Sequence, residues 1–375
     1  MHPNCRSGAC QPVQISAIED RRPSMTDPVA LAADHKLPSL RYGPYTSSML
    51  VKWAAAQQNW DRIHYDQQYC REFAGLPAPV IHGGMKQHLL IRYLSEALGG
   101  LGWVRGLTIR YMGPDFVGET LELSARVEAV HGQTTDGAQI ATLAIEGRNC
   151  QQDKVTTAGR AVVCTGSDLA SREAAMAAGI AGHLALDPAP SPRCPAVSDR
   201  INALIGTSHE SMASVVPVDR SRLRLFADAL GGVDPLHHDP AAALASAHGE
   251  VVAPPLFPLH GLESAPGAWP LGTDPEAMGR EGVSEIGRNL ARDHGFSNAG
   301  MVNGGSVFEI HDLARLGDTI TARSTLVSVE HKQSRGGPML VTVALNTYAT
   351  DTGRLLLREQ QTTIYRNFQP MAGES

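Results

Sequence analysis

The sequence predicts an α+β fold made of two tandem copies of one domain, in each of which an antiparallel sheet wraps around a central helix. Three observations support this prediction. The chain of 375 residues is long enough for about two domains, each with its own core. A polar stretch occurs twice along the chain. One strongly apolar helical segment is followed by runs in which apolar and polar residues alternate.

The repeated stretch covers residues 51–66 and again residues 224–239, and both copies end in His-x-Asp. The identical pairs are Ala54 and Ala227, Ala56 and Ala229, Asp61 and Asp234, His64 and His237, and Asp66 and Asp239. Farther on, the sequence around Gly118 matches that around Gly317, and the second copy is longer, mostly between residues 258 and 300. A duplication of this length predicts two tandem domains rather than a solenoid of short repeats.

The first copy gives the clearer secondary-structure signals. From Leu121 to Ala129 apolar residues alternate with polar ones, which is the period of a strand with one buried face. Upstream, residues 85–98 carry a wide apolar face, and this predicts a helix enclosed on several sides that ends at Gly99 and Gly100. A buried helix followed by such strands indicates a sheet curled around that helix.

The second copy repeats the alternation more weakly, at residues 320–329 and 340–348. Prolines at 254, 255, 258 and 266 exclude a long regular helix where the first copy has one, because proline removes a backbone donor and clashes with the preceding turn. Either the tail of a ligand or the segment around Ser284–Asp293 fills the resulting space. The predicted divisions are a disordered leader over residues 1–36, a domain over 37–165, a linker with one short helix over 166–199, and a second domain over 200–368.

Composition and charge narrow the class of protein. A net charge of -6 spread along the chain argues against nucleic acid as the main partner. Six cysteines without CxxC pairs indicate free thiols in a reducing compartment. Because the sequence has neither a signal peptide nor an apolar run of about 18 residues, we expect a cytoplasmic protein without a membrane partner, starting at Met1 or at Met25.

The stretch "AAAQQNWDRIHYD", followed by "AGLPAPVIHGGM", resembles the hydratase motif of MaoC-like, R-specific enoyl-CoA hydratases, which is Asp-x-Asn-Pro-Leu-His with a His-Gly loop downstream. The resemblance implies a tandem double hot-dog fold. Later stretches such as "VAPP" and "MVNGGSVFEIHDLARLGDTITARSTL" look like the degenerate, usually non-catalytic half of double-hot-dog acyl-CoA dehydratases. The likeness spans most of residues 40–165 and 200–366. Because the degenerate half comes first in those relatives, it implies swapped halves here.

The activity that the resemblance implies is reversible addition of water to the double bond of a 2-enoyl-CoA thioester. This chemistry needs an acid/base group and donors for the thioester oxygen. His64 is the candidate for proton transfer, and the N–H groups of Gly83 and Gly84, before a helix, are the candidate donors. His82 and Arg62 are candidate substrate contacts, Arg62 for a substrate carboxylate. The CoA thioester is the expected substrate and no other cofactor is expected. The double domain is expected to work alone, as a homodimer, or as a heteromer with another hot-dog subunit.

The motif departs from the family at one position. The family's acidic residue falls on Asn59, its asparagine falls on Asp61, and the second copy has Gly232 at the acidic position. Either His64 acts alone on water positioned by Asn59, or Asp61 supplies the carboxylate, or the protein binds acyl-CoA without rapid chemistry. A branch of the double-hot-dog hydratases that acts on short, methyl-branched dicarboxylic thioesters is similar in combining "RIHYD" with asparagine there, which favours the first interpretation. A thioesterase and a non-catalytic acyl-CoA-binding subunit are the alternative functions.

Several other residues have simpler structural interpretations. Asp66 and Asp239 precede helix-like runs and are predicted N-caps. Gly118 and Gly317 belong to turns that open strands. His237 and His238 are predicted to be structural or interfacial, and His82 is either a loop hydrogen bonder or a substrate contact. Fifteen histidines occur without HExxH or a Cys/His cluster, so no metal site is predicted.

Overall fold

The computed structural model describes residues 31–99, 102–133, 139–165, 186, 189–209, 213–231, 234–246, 248–262, 293 and 301–370. Two halves follow nearly the same order of elements. The first half has β1 (Leu40–Tyr42), α1 (Ser47–Gln57), a 3-10 turn (Arg62–His64), α2 (Gln67–Glu72), α3 (Gly83–Ala97), β2 (Gly102–Tyr111), β3 (Leu121–Gln133), β4 (Gln139–Asn149) and β5 (Lys154–Thr165). The second has α4 (Asp199–Asn202), β6 (Ser208–His209), α5 (Arg220–Ala229), a 3-10 turn (Pro235–His237), α6 (Pro240–Ala245), a 3-10 turn (Phe257–Leu259), β7 (Met301–Ile310), β8 (Ile320–Ser334), β9 (Gly337–Thr350) and β10 (Leu355–Arg366). The predicted duplication is confirmed.

The described strands form one antiparallel sheet in the order β1-β3-β4-β5-β2-β7-β10-β9-β8-β6. The halves join where β2 pairs with β7, with Leu107 opposite Phe308. Gly305 adopts a φ of 136° at this junction, and a Cβ there would collide with the Ile109 carbonyl oxygen. Glycine is therefore required for the two half-sheets to approach closely enough to hydrogen-bond.

Helix α3 is the buried helix that the sequence predicts, and the prediction is confirmed. Met85, Leu89 and Leu94 on its apolar face are each at most 2% exposed. The helix ends at Ala97, and Gly99 follows with a φ of 67°, a left-handed conformation that suits glycine after a helix. The helix thus has a fixed N-terminal end at Gly83, which positions the candidate site.

The second half replaces α3 by a short 3-10 turn at Phe257–Leu259. Pro254 and Pro255 lie two and three residues before Phe257, and Pro258 lies within the turn, so the described residues confirm that no long helix forms up to Leu262. Residues 284–292, one of the two predicted fillers of this space, lie outside the described residues, as do most of the predicted linker residues 166–199.

Several local predictions are confirmed by hydrogen bonds and backbone angles. The Asp66 carboxylate accepts from the Tyr69 N–H at 2.9 Å and the Asp239 carboxylate accepts from the Ala241 N–H at 2.9 Å, so both are N-caps. Gly118 and Gly317 share a φ of 91° in the turns before β3 and β8. The described cysteines, namely Cys70, Cys150, Cys164 and Cys194, are thiols and form no disulfide with one another. Within the described ranges, no helix has the length and apolar character needed to cross a membrane.

The two halves meet through a cluster of buried rings. Trp53 on α1 packs edge-on against Phe226 on α5, with ring centroids 5.6 Å apart, and His88 on α3 lies 5.4 Å from His260. Trp53 and Phe226 occupy equivalent positions in the two copies. Equivalent elements therefore face each other across the interface, as expected of duplicated domains with a pseudo-twofold relation.

Because His88 is buried, we expect the protein to be less stable toward unfolding at acidic pH. Burial, followed by the influence of His237, lowers the pKa of His88 to about 3. In the unfolded chain its pKa is about 6.5, so the unfolded state binds more protons between these values. Stability is expected to be full above about pH 6.5 and to fall as the pH drops toward about 3. The unfolding temperature, followed by circular dichroism, should fall less steeply with decreasing pH in His88→Phe than in the wild type. His35→Phe, which changes an exposed histidine, serves as the control and should keep the wild-type dependence. Equal slopes in all three proteins would contradict this account.

Candidate active site

His64 is held in one orientation and one tautomer. It ends the 3-10 turn, is 9% exposed, and its Nδ1 lies 2.8 Å from the Val80 carbonyl oxygen. A carbonyl can only accept, so in the neutral ring Nδ1 carries the proton and Nε2 keeps its lone pair. Burial lowers the pKa of His64, while the Val80 carbonyl and the charge of Asp61 act in the opposite direction. The imidazole is therefore neutral near pH 7 and can accept a proton at Nε2.

His82 stacks on His64. The two ring centroids are 3.5 Å apart and the rings are inclined by 18°. His82 is 1% exposed, and among the described residues neither of its ring nitrogens has a hydrogen-bond partner. Burial and the neighbouring His64 lower its pKa well below the usual range, so this ring is also neutral. The loop hydrogen bond required by one of the two interpretations of His82 is absent from the described structure, and substrate contact remains a prediction.

Asn59 and Asp61 lie in the turn that follows α1, five and three residues before His64, and the charge of Asp61 acts on His64. Asn59 is 1% exposed, and its Oδ1 accepts the N–H of Asp61 at 3.0 Å. The Asp61 carboxylate accepts the N–H of Ile63 at 3.2 Å and caps the 3-10 turn. Asp234 makes the same capping bond to Leu236 in the second half. This shared bond explains why both copies contain the aspartate, without requiring that Asp61 take part in proton transfer.

Gly83 and Gly84 form the first turn of α3. The N–H groups of a first helical turn have no acceptor within the helix and carry the positive end of the helix dipole, so they suit a developing oxyanion. The Tyr111 hydroxyl donates to the Gly83 carbonyl oxygen at 2.8 Å. A Cβ at Gly83 would lie 3.0 Å from the Tyr111 ring, so the tyrosine packs where only glycine leaves room.

Backbone hydrogen bonds hold the loop that precedes α3, which includes Val80 and Ile81, against neighbouring segments. The N–H of Val80 donates to the Ile63 carbonyl at 2.9 Å, which ties the loop to the turn that holds His64. On the other side, the N–H of Ile81 donates to the Asp115 carbonyl at 2.8 Å. The histidine and the glycine pair are thus held on one rigid framework, as preorganised catalysis requires.

A buried ion pair, which the sequence analysis did not predict, lies next to the loop that precedes α3. Lys86 in the first turns of α3 is 4% exposed and pairs with Asp115, which is fully buried. Asn149 and Thr156 also donate to Asp115, at 2.7 and 3.0 Å. Burial lowers the pKa of Lys86, and the adjacent Asp115 counters this effect. The one available signal was a lysine adjoining the apolar face of a predicted buried helix.

Arg62 is engaged within the protein. Its Nε and Nη2 donate to one Asp66 carboxylate oxygen at 3.0 and 2.7 Å, and its guanidinium lies 4.7 Å from the Tyr69 ring centroid. A contact with a substrate carboxylate would have to compete with Asp66, so this role of Arg62 stays a prediction.

The second half preserves the histidine but has a different loop. His237 Nδ1 lies 2.8 Å from the Val252 carbonyl oxygen, which matches His64 and Val80. Counting on from Val252, Pro254 and Pro255 stand where the first half has His82 and Gly83. Proline has no N–H, so the donor at the Gly83 position is lost. Gly232, the predicted equivalent of Asn59, lies outside the described residues.

From the lowered pKa of His64 we predict how kcat/KM depends on pH below neutrality. A neutral imidazole is needed to accept a proton from water, so kcat/KM should be flat near neutral pH and should fall only below about pH 6.5. Asp61→Asn keeps a capping side chain but removes a charge that raises this pKa, so it should shift the fall to lower pH. The profile is measured by initial rates between about pH 4 and pH 8; a fall centred above about 6.5 would contradict this assignment.

Solved structures share this arrangement of elements. A MaoC-like dehydratase matches with a TM-score of 0.53 at 13% identity, over 89% of this chain and 98% of that chain. A MaoC domain protein dehydratase from Chloroflexus aurantiacus gives 0.57 at 12% identity, over 89% and 95%. A conserved hypothetical protein from Mycobacterium tuberculosis, described as having a double hotdog fold, gives 0.53 at 14%, over 89% and 96%. At such identities the likeness shows the fold, and the predicted double hot-dog fold is confirmed.

Family models match both halves. The model of hydroxyacyl-thioester dehydratase type 2 covers residues 16–117, and that of the FAS1-like dehydratase domain region covers residues 203–359. Both models describe dehydratases, so the chain is similar in sequence to dehydratases in each half and has the double hot-dog fold. The order of the halves stays a prediction.

Two curated proteins related to this chain in sequence show the family to which it belongs. A UPF0336 protein of Thermobifida fusca is 34% identical over 123 residues, which are 33% of this chain and 67% of the relative. A UPF0336 protein of Parafrankia sp. is 30% identical over 162 residues, which are 43% of this chain and 92% of the relative. The chain belongs to the UPF0336 family.

Proposed function

We propose that the protein adds water reversibly to the double bond of a 2-enoyl-CoA thioester, with His64 as acid and base. The observation that carries this proposal is the bond between His64 Nδ1 and the Val80 carbonyl, which leaves Nε2 as the group that exchanges protons. A cytoplasmic location and assembly as a homodimer, or with another hot-dog subunit, belong to the same proposal.

In the hydration direction, Nε2 of His64 takes one proton from water while the water oxygen bonds to the carbon distal to the thioester. The electron pair of the double bond moves toward the thioester oxygen. The resulting negative charge is stabilised by the N–H groups of Gly83 and Gly84 at the start of α3. The protonated His64 then returns its proton to the carbon next to the carbonyl, so the imidazole ends neutral and one water has been added.

Asn59 takes the place of the family's acidic residue in positioning the water. An amide can donate to and accept from water but cannot remove its proton. Its burial and its bond to the Asp61 N–H hold the side chain in one place. One histidine therefore carries all proton transfer, and its neutral state near pH 7 supports this division of roles.

Replacing Asn59 tests its role in positioning. Asn59→Ala is expected to lower kcat/KM about 100-fold, because a displaced nucleophile loses much of the advantage of orientation. Asn59→Asp, which places a carboxylate at the same site, should retain more activity than Asn59→Ala. Initial rates with an enoyl-CoA decide between these cases, and wild-type kcat/KM in Asn59→Ala would rule out the positioning role.

The reaction type is tested with a panel of short, dicarboxylic and bulky 2-enoyl-CoA thioesters. Loss of the enoyl absorbance is followed together with release of free thiol. Hydration removes the absorbance and releases no thiol, whereas a thioesterase releases thiol. Thioester binding with neither change would indicate a non-catalytic acyl-CoA-binding subunit. A preference for dicarboxylic thioesters that disappears in Arg62→Ala would support the role of Arg62 in substrate selection.

A further inference from the structure

A cavity of about 370 Å³ opens in the second half beside His237. Its lining includes Arg220, Arg224 and Asp228 from α5, with His238 and Val251 from the following segments. The cavity belongs to the half whose loop lacks the Gly83 donor, so hydration chemistry does not explain its lining. Its size falls within the range of about 300–1,000 Å³ typical of small-molecule sites.

Arg220 and Arg224 stand four residues apart and therefore share one face of α5. Both side chains are exposed, and among the described residues neither guanidinium makes an ion pair. Arg62 in the first half, by contrast, is neutralised by Asp66 at 2.7 Å. Two unpaired like charges at this spacing repel each other on a helix, and a bound anion would remove that repulsion.

The arginines are specific to the second half. In the alignment of the two copies, Arg220 corresponds to Ser47 and Arg224 to Val51. The fold therefore does not need a cation at either position. Asp228, also in the lining, offsets one of the two charges, and the half-buried His237 is neutral because its removal from water lowers its pKa. The net excess of one positive charge, with two planar guanidinium groups on one face, suits a phosphate group.

We propose that this cavity, whose lining is separate from the catalytic groups around His64 and Gly83, binds the phosphate groups of a nucleotide. Inorganic phosphate alone would leave most of 370 Å³ unfilled, whereas a nucleoside diphosphate has a matching size. Its phosphates would lie against Arg220 and Arg224, and its base and ribose would occupy the remaining space near His238 and Val251. The nucleotide is either a free molecule or the nucleotide end of a CoA thioester.

Calorimetric titration with ADP, pyrophosphate and adenosine tests the site. ADP is expected to bind the wild-type protein and to bind at least about tenfold more weakly to Arg220→Gln/Arg224→Gln, as loss of charge-assisted bonds to phosphate implies. Arg110→Gln/Arg323→Gln, a change of two exposed arginines elsewhere, keeps wild-type affinity. Adenosine, which lacks phosphate, does not compete. Equal ADP affinity in the two double variants, or no binding to the wild-type protein, would overturn the proposal.

Measurements of KM distinguish a free nucleotide from the nucleotide end of a CoA thioester as the ligand of this cavity. If the site takes a free nucleotide, Arg220→Gln/Arg224→Gln has wild-type KM values for an enoyl-CoA and for the corresponding pantetheine thioester, which lacks the nucleotide. If it takes the nucleotide end of the substrate, KM rises for the CoA thioester alone. An equal rise for both thioesters would contradict a phosphate site. ADP binding to His64→Ala at wild-type affinity is also expected, so this test stands even if the enzyme proves inactive on enoyl-CoA.

Discussion

His64→Ala is expected to lower kcat for hydration of an enoyl-CoA by about 100- to 10,000-fold, the usual contribution of a positioned acid/base group. The effect should be near the upper end, because one imidazole is assigned both proton transfers. The intact His237 should not compensate, since Pro255 removes the donor that Gly83 supplies in the first half.

Initial rates measured by loss of the enoyl absorbance give the comparison, with KM little changed because the ring is assigned to the transition state rather than to binding. His35→Ala, an exposed histidine, serves as the control and should behave as wild type. Circular dichroism confirms that the variants are folded. Retention of more than about a tenth of wild-type kcat in His64→Ala would remove His64 from the mechanism.

Lys86→Met is expected to lower the free energy of unfolding by about 3–5 kcal/mol, the usual cost of leaving one partner of a buried ion pair without the other. The Asp115 carboxylate is fully buried, and Asn149 and Thr156 alone cannot balance its charge. Because Asp115 also holds the loop through the N–H of Ile81, we expect activity to fall as well.

The double variant Lys86→Met/Asp115→Asn separates charge from packing. With the carboxylate replaced by an amide of similar shape, most of the lost stability should return. Chemical denaturation of the wild type, the single variant and the double variant gives the three free energies. A double variant as unstable as Lys86→Met would show that the lysine acts through packing of its side chain instead.

Features that depend on local pattern were predictable from the sequence. The alternation from Leu121 to Ala129 and the apolar face of residues 85–98 gave a strand and a buried helix, because side-chain period follows backbone geometry. The capping roles of Asp66 and Asp239 followed from a short-range preference for aspartate before a helix. The repeat supplied the two-domain organisation.

Features that depend on tertiary packing were not predictable. The partner of Lys86 is Asp115, which lies on a different segment, and no local pattern connects them. The bond from His64 to the Val80 carbonyl and the stacking of His82 on His64 likewise arise from loop placement. The pairing of Arg62 with Asp66, by contrast, could have been predicted from the sequence. Asp66 stands four residues after Arg62, a spacing at which opposite charges commonly pair on a helix.

The most direct test of the central claim uses an enoyl-CoA in water labelled with heavy oxygen, with products separated by chromatography and identified by mass spectrometry. The mechanism predicts that the label enters the hydroxyl of a 3-hydroxyacyl-CoA whose thioester is intact, and that His64→Ala forms this product at a greatly reduced rate. Label in a free carboxylate, with release of CoA, would contradict the mechanism and assign the protein to thioester hydrolysis.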